Sequence, residues 1–266
     1  MQKKIIFLDL DGTLWVNEKI PLSALSAIFQ AKENGHKIFT NTGRTYCEGI
    51  TNLLPLQLDG MCYSAGSEIY VGNENILFDP IEENKIKRMT KYLQENNVGI
   101  SVEGSARVYL DQLNHDYFLK RFESEPNGET LRRFLIYQDI DQAPKKDYAQ
   151  FMKLFLCNPN HVPISTIEKC VEPGTELTMF GIETGEITNA NHNKGTAIQT
   201  VKEYYKNQYE TIVFGDSEND LSMFKVADYS VSMGNAKKEI QEKTDFVTKD
   251  IMDNGLFYAF KQLKLI

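Results

Sequence analysis

The feature that most narrows the fold is an alternation of strand-like and helix-like patterns. It occurs at both ends of this 266-residue chain and breaks off in the middle. Lys4–Leu8 is a short apolar run, the kind that suits a central strand buried on both faces. A helix is expected over 21–34, with Leu22, Leu25, Ile28 and Phe29 on one face and Gly35 as its stop. Strands follow over 36–40 and 61–64. Near the other terminus, strands are expected over 211–214, 229–233 and 246–248, with helices over 220–226 and 236–243. Repeated βαβ units imply a parallel sheet covered by helices on both faces. The middle mixes helices over 82–94 and 114–124 with strand candidates over 100–103, 107–110, 151–156 and 177–182. This pattern implies an α+β insertion large enough to be a domain. The expected division is a core of 1–81 and 188–266 and an inserted domain of 82–187.

Charge limits the partners. Asp and Glu number 37 against 29 Lys and Arg, for a net charge of −8, so the whole molecule does not attract nucleic acid or anionic lipid. No segment approaches the roughly 20 apolar residues of a membrane span. The apolar run after Lys4 is too short for the core of a signal peptide, about 7–15 residues. Cys47, Cys62, Cys157 and Cys170 show no CxxC spacing and read as reduced, mostly buried thiols of a cytoplasmic protein. The scattered His36, His115, His161 and His192 form no zinc-ligand pattern with them.

Four short segments fall where an α/β sheet places its active site, at the carboxyl ends of strands. They are Asp9-Leu10-Asp11-Gly12-Thr13-Leu14, Thr42-Gly43-Arg44, Asn193-Lys194-Gly195 and Gly215-Asp216-Ser217-Glu218-Asn219-Asp220. Brought together, Asp9, Asp11, Asp216 and Asp220 would crowd four carboxylates around one site with Lys194. Two like charges about 4 Å apart repel by about 4 kcal/mol at an effective dielectric near 20. Such a cluster calls for raised pKa values or a hard cation. Oxygen donors without His or Cys favour Mg²⁺, which commonly shares its shell with a substrate phosphate.

These four segments resemble, in order and spacing, the motifs of the haloacid dehalogenase-like phosphatases. The insertion's position resembles the Cof-type subgroup, since 15–37 has room only for a small hairpin and one helix. The resemblance implies a Rossmann-like sheet of order 3-2-1-4-5-6 with an α+β cap inserted after the third strand. It implies an Mg²⁺-dependent hydrolase of small phosphate esters, with sugar phosphates ahead of phosphorylated cofactors such as pyridoxal phosphate or flavin mononucleotide. Asp9 would be the nucleophile that carries the phosphoryl group, and Asp11 the general acid and base. Thr42, the backbone amides of Leu10 and Gly43, Lys194 and Asn219 would hold phosphoryl oxygens. Asp216 would complete the metal site with Asp9 and the Asp11 carbonyl, while Asp220 supports the metal or Lys194. A monomer or weak homo-oligomer is expected. Ser64-Ala65-Gly66-Ser67 departs from the subgroup, whose members often carry Asn-Gly there.

A calcium loop starting at Asp9 would have Leu14 where glycine belongs and Ile20 where glutamate belongs. Asp216 and Ser217 could simply cap a helix. Arg44 could reach toward substrate or make a structural ion pair. Tyr204, Tyr205 and Tyr209 read as helix packing, and Arg132-Arg133 and Lys145-Lys146 as solvated charge. A phosphomutase would share the nucleophile, and a silent regulatory protein would have lost Asp9 or Lys194.

Overall fold

A computed structural model describes residues 2–124 and 138–266; Arg132 and Arg133 lie outside the described residues. The chain divides into two compact units. One comprises Met1–Arg44, Gly49–Phe78 and His192–Ile266, the other Thr45–Glu48 and Asp79–Asn191.

The first unit is built on β1 (Lys4–Leu8), β2 (Lys37–Asn41), β3 (Gly60–Tyr63), β4 (Glu68–Val71), β5 (Glu74–Phe78), β12 (Glu210–Gly215), β13 (Tyr229–Ser232) and β14 (Phe246–Val247). Their order across the sheet is β14-β13-β12-β1-β2-β3-β4-β5. The six strands from β14 to β3 are parallel, in the expected 3-2-1-4-5-6 arrangement. Two antiparallel strands, β4 and β5, extend the edge beyond β3 before the chain leaves this unit. The sequence reading had no strands there: Glu74–Phe78 is largely exposed, and Glu68–Val71, although buried, is only four residues long.

Helices cover both faces, as the alternation requires. Ile5, Phe7, Phe39 and Val213 pack with Ala197, Ile198 and Val201 of the helix Lys194–Tyr204 and with Met223 and Phe224 of the helix Leu221–Val226. On the other face Phe214 meets Phe260 of the helix Gly255–Gln262, with ring centroids 5.2 Å apart. Each such buried ring contributes about 1.5–3 kcal/mol. α1 (Leu22–Glu33) corrects the sequence reading of its inner face. It buries Ala24, Ala27, Ile28 and Ala31, while Leu22 is 84% and Phe29 46% exposed. α1 packs against the helix Gly255–Gln262, a partner the sequence reading did not include. Small side chains let two helix backbones approach closely, so alanines face inward. α2 (Tyr46–Leu53) was also unforeseen, and the helix expected over 236–243 is shorter, Lys238–Gln241. Tyr204, Tyr205 and Tyr209 stack edge-to-face on one another, as a packing group should.

The second unit is α+β. Its sheet runs β10-β11-β9-β6-β7-β8, from β6 (Gly99–Gly104), β7 (Val108–Leu110), β8 (Gln138–Asp139), β9 (Phe151–Cys157), β10 (Thr175–Phe180) and β11 (Thr184–Asn189). α3 (Glu83–Glu95) sets Ile86, Met89 and Leu93 against Ile100, Val102, Leu154, Leu156 and Ile187. α4 is Gln112–Ser124. The strand expected over 177–182 is present as β10, offset by two residues, and β11 after it was not expected. In β11 only Ile187 is a large apolar residue, so hydrophobicity gave no signal. Strand alternation sends Ser101, Glu103 and Lys153 to the opposite face from α3. There the buried Lys153 ammonium lies 3.0 Å from Glu103 and 2.8 Å from Glu186. Burial, with Glu48 nearby, pushes the Glu103 carboxyl up to about 8 despite Lys153. Lys145 and Lys146 are exposed, as expected. No helix among the described residues is long and apolar enough to cross a membrane.

Candidate active site

The parallel sheet brings three of the four segments to one place through its own register. β1 ends at Leu8 opposite Phe214 of β12, and the Asp9 amide donates to the Phe214 carbonyl at 3.0 Å. Asp9 and Asp216 therefore leave adjacent strands side by side. The fourth segment arrives on the helix Lys194–Tyr204, whose N-cap Asn193 accepts from the amides of Gly195 and Thr196. That cap satisfies two of the helix's unpaired donors and sets Lys194 as its first residue. Asn41, at the end of β2, donates to the Lys194 carbonyl at 2.8 Å and ties the helix to the sheet.

Lys194 is 1% exposed, yet its Nζ lies 2.6 Å from Asp9 Oδ1 and 2.6 Å from Asp220 Oδ1. Burial works against the ammonium, but the two carboxylates outweigh it and raise its pKa. Burial pushes the Asp9 carboxyl well above the usual range; Lys194 pulls it down, and Asp220 and Asp216 push it further up. Asp220, fully buried, spends its other oxygen on the backbone amides of Asp216 and Ser217, at 2.8 and 3.0 Å. Ser217 does cap the next turn, in a reciprocal box with Asp220. The capping and site readings of this segment are thus one arrangement. Asn219 and Asp220 part company, however. Asp220 turns inward, whereas Asn219 is exposed and accepts from Ser217 Oγ at 2.9 Å.

Asp216 is half-buried, receives the Thr13 hydroxyl at 3.2 Å, and is pushed up to about 6 by burial and by the charge of Asp220. Gly12 makes room for it. With φ +81° it occupies the left-handed region, and a β-carbon there would sit 2.4 Å from Asp216 Oδ2. Carboxylate oxygens of Asp9, Asp216 and Asp220 all lie within 4.8 Å of one another. Three carboxylates and one ammonium leave an excess of two negative charges when all are ionised. That excess, together with an all-oxygen donor set, fits a hard divalent cation such as Mg²⁺.

Thr42 is buried at the end of β2. Its amide donates to Cys62 at 2.9 Å, and its hydroxyl accepts from the Arg44 amide at 3.1 Å. Gly43 has open space where a side chain would stand. Leu10 is buried, and its carbonyl accepts from the amides of Thr13, Leu14 and Trp15, closing the loop after β1. Ser64 and Ala65 both adopt left-handed φ, at +50° and +53°. The loop thus holds two non-glycine residues in a conformation that favours asparagine or glycine, with Gly66 following at φ +99°.

Asp11 stands apart from the carboxylate triad. Arg44 grips it through Nε to Oδ2 and Nη2 to Oδ1, both 2.8 Å, and Trp15 Nε1 donates to Oδ1 at 2.9 Å. Burial raises the Asp11 carboxyl, but the hydrogen bonds and charge of Arg44, with Trp15, outweigh it and hold it below the usual range. Arg44 also bonds Glu18 at 2.7 Å and lies over the Trp15 ring, 5.2 Å from its centroid. Neither Glu18 nor Trp15 was singled out from the sequence. The one hint was their place between the first motif and the first helix.

Comparisons with known proteins identify the family. The family model described as haloacid dehalogenase-like hydrolase matches residues 6–260. Phosphatase YwpJ of Bacillus subtilis is 26% identical, covering 98% of this chain and 99% of its own. Mannosyl-3-phosphoglycerate phosphatase of Pyrococcus furiosus is 28% identical over 94% of this chain and 98% of its own. Among solved structures, BT1666 from Bacteroides thetaiotaomicron, a phosphatase of the same superfamily, matches with a TM-score of 0.80. It covers 100% of this chain and 96% of that one at 22% identity, a likeness of fold. The chain belongs to the haloacid dehalogenase-like hydrolases, in the Cof-type subgroup, and is a phosphoric monoester hydrolase.

Proposed function

We propose that this phosphatase is Mg²⁺-dependent, acts on small phosphate monoesters, and carries the phosphoryl group transiently on Asp9. The observation that carries this reading is the buried Asp9 carboxylate, 2.6 Å from the Lys194 ammonium and within 4.8 Å of Asp216 and Asp220. A nucleophilic carboxylate must approach an anionic phosphate, and it needs cations around it to do so. Bound Mg²⁺ would supply charge neutralisation between phosphate and carboxylate. Asp9 and Asp216 are the candidate ligands, with the Asp11 carbonyl; Asp220 acts through Lys194 and the amides of Asp216 and Ser217.

An oxygen of Asp9 attacks phosphorus, the P–O bond to the leaving group breaks, and an acyl phosphate forms. Asp11, protonated for this step although Arg44 and Trp15 favour its ionised form in the free site, gives its proton to the departing oxygen. Asp11 then takes a proton from water, whose oxygen attacks phosphorus and releases inorganic phosphate, restoring Asp9. Thr42, Lys194, Asn219 and the amides of Leu10 and Gly43 hold the phosphoryl oxygens as charge spreads over them. Sugar phosphates are the favoured substrate class and phosphorylated cofactors the next, on the habits of the subgroup.

The test is a panel of both classes assayed for inorganic phosphate with Mg²⁺ and with a chelator. The wild type should need the metal. Asp9→Asn should stay folded and lose roughly 10⁴-fold or more in turnover. Unchanged hydrolysis by that variant would overturn the mechanism. Transfer of phosphate to a second sugar, without inorganic phosphate, would identify a mutase instead.

A further inference from the structure

Between the first motif and α1 the chain makes a two-residue hairpin. Val16 and Lys19 exchange backbone hydrogen bonds at 3.1 and 3.0 Å, with Asn17 and Glu18 at the turn. Both turn residues are left-handed, at φ +49° and +59°. This geometry asks for asparagine followed by glycine. Asn17 complies. Glu18 stands where glycine belongs, although a longer side chain pays for that conformation in backbone energy.

What the side chain does there is specific. Glu18 is only 10% exposed, and Oε1 accepts from Arg44 Nη1 at 2.7 Å while Oε2 accepts from Asn52 Nδ2 at 3.3 Å. Arg44 turns its remaining fork onto Asp11. Counting donors, Asp11 Oδ1 receives Arg44 and Trp15, and Oδ2 receives Arg44 alone. A carboxylate has about four acceptor directions. One is therefore left, on Oδ2, and its direction is set by how Arg44 is held.

We infer that Glu18 is a positioning residue for catalysis: it anchors the Arg44 guanidinium so that the Asp11 carboxyl is presented in one fixed orientation for proton exchange. The inference rests on the proposed role of Asp11 and adds Glu18, Arg44 and Asn52 as the frame that aims it. Arg44 here is a holder of Asp11 rather than a contact to substrate.

Glu18→Gly separates this from a structural role, because glycine suits the turn and keeps the hairpin. The variant is compared with wild type, Glu18→Gln and Asp11→Asn on p-nitrophenyl phosphate and on an alkyl phosphate. The nitrophenolate leaves without help, whereas an alkoxide needs a well-aimed proton, worth about 10²–10⁴-fold. For Glu18→Gly the expected result is an intact fold and unchanged KM. Its kcat should fall about tenfold or more on the alkyl ester and less than about threefold on the nitrophenyl ester. Glu18→Gln, which keeps an acceptor for Arg44, should recover most of the loss. Equal losses on both esters, or a raised KM at constant kcat, would overturn the inference. Asp11→Asn distinguishes the two levels. If it shows the leaving-group bias and Glu18→Gly does not, only the positioning fails; if it shows none, the role of Asp11 fails, and the inference with it.

Discussion

Replacing Lys194 with methionine tests whether the site is an electrostatic device. The substitution keeps length and burial but removes the cation that lies 2.6 Å from both Asp9 and Asp220. The two carboxylates, within 4.8 Å of each other, would then face one another unshielded. At an effective dielectric near 20 their repulsion is about 3–4 kcal/mol, which agrees with the roughly 3–5 kcal/mol lost when one partner of a buried ion pair is removed. The sign with pH follows from Asp9. Its carboxyl is already raised by burial, and Lys194 is what holds it down; without the lysine it rises further. A group whose folded-state pKa lies above its unfolded value favours the fold at low pH and loses that contribution as pH rises. Lys194→Met should therefore be destabilised by about 3–5 kcal/mol in metal-free buffer at pH 8 and by clearly less at pH 5. Mg²⁺ should restore part of the stability at pH 8, since it replaces the missing positive charge. Urea unfolding, followed with and without Mg²⁺ at both pH values, measures all three. A variant as stable as wild type at pH 8, indifferent to Mg²⁺, would refute the view that Lys194 balances these carboxylates. Activity should fall about 10²–10³-fold even where the fold is restored, from the loss of the proposed donor to the phosphoryl oxygens.

Two further outcomes test the proposed metal site. Gly12→Ala would place a β-carbon 2.4 Å from Asp216 Oδ2 at a φ of +81°, costing about 1–2 kcal/mol in the backbone alone and displacing Asp216. The Mg²⁺ concentration for half-activation should rise about tenfold or more, because 1.4 kcal/mol of lost metal binding is a factor of ten; an unchanged value would show that Asp216 does not bind the metal. Asp216, pushed up to about 6, must give up its proton before it can ligate. Apparent Mg²⁺ affinity, measured by calorimetry, should be flat well above that pH and weaken about tenfold per unit below it. A flat profile down to pH 4.5 would remove Asp216 from the ligand set.

Much of the molecule was legible because its signals are local. Lys4–Leu8 is apolar throughout, and a strand buried on both faces needs just that composition. Asp9, Lys194 and Asp216 could be singled out because strand ends and a helix start put reactive side chains at known places along the chain. The polar network around Asp11 was not legible. Arg44 was identified, but its partners Glu18 and Trp15 are recognisable only once a loop and a strand end are folded beside each other. The strand Thr184–Asn189 was missed for a related reason. It is held by pairing on both sides, with little hydrophobicity of its own.

The sequence by itself determined the alternating architecture and marked out the acidic segments and the lysine from which a site could be built, since each follows from side-chain type and short-range pattern. Tertiary structure alone decided which carboxylate faces the lysine, which is turned away onto Arg44, and which face of α1 is buried. Those choices depend on distances between segments far apart in the chain, and electrostatic and packing energies are functions of distance.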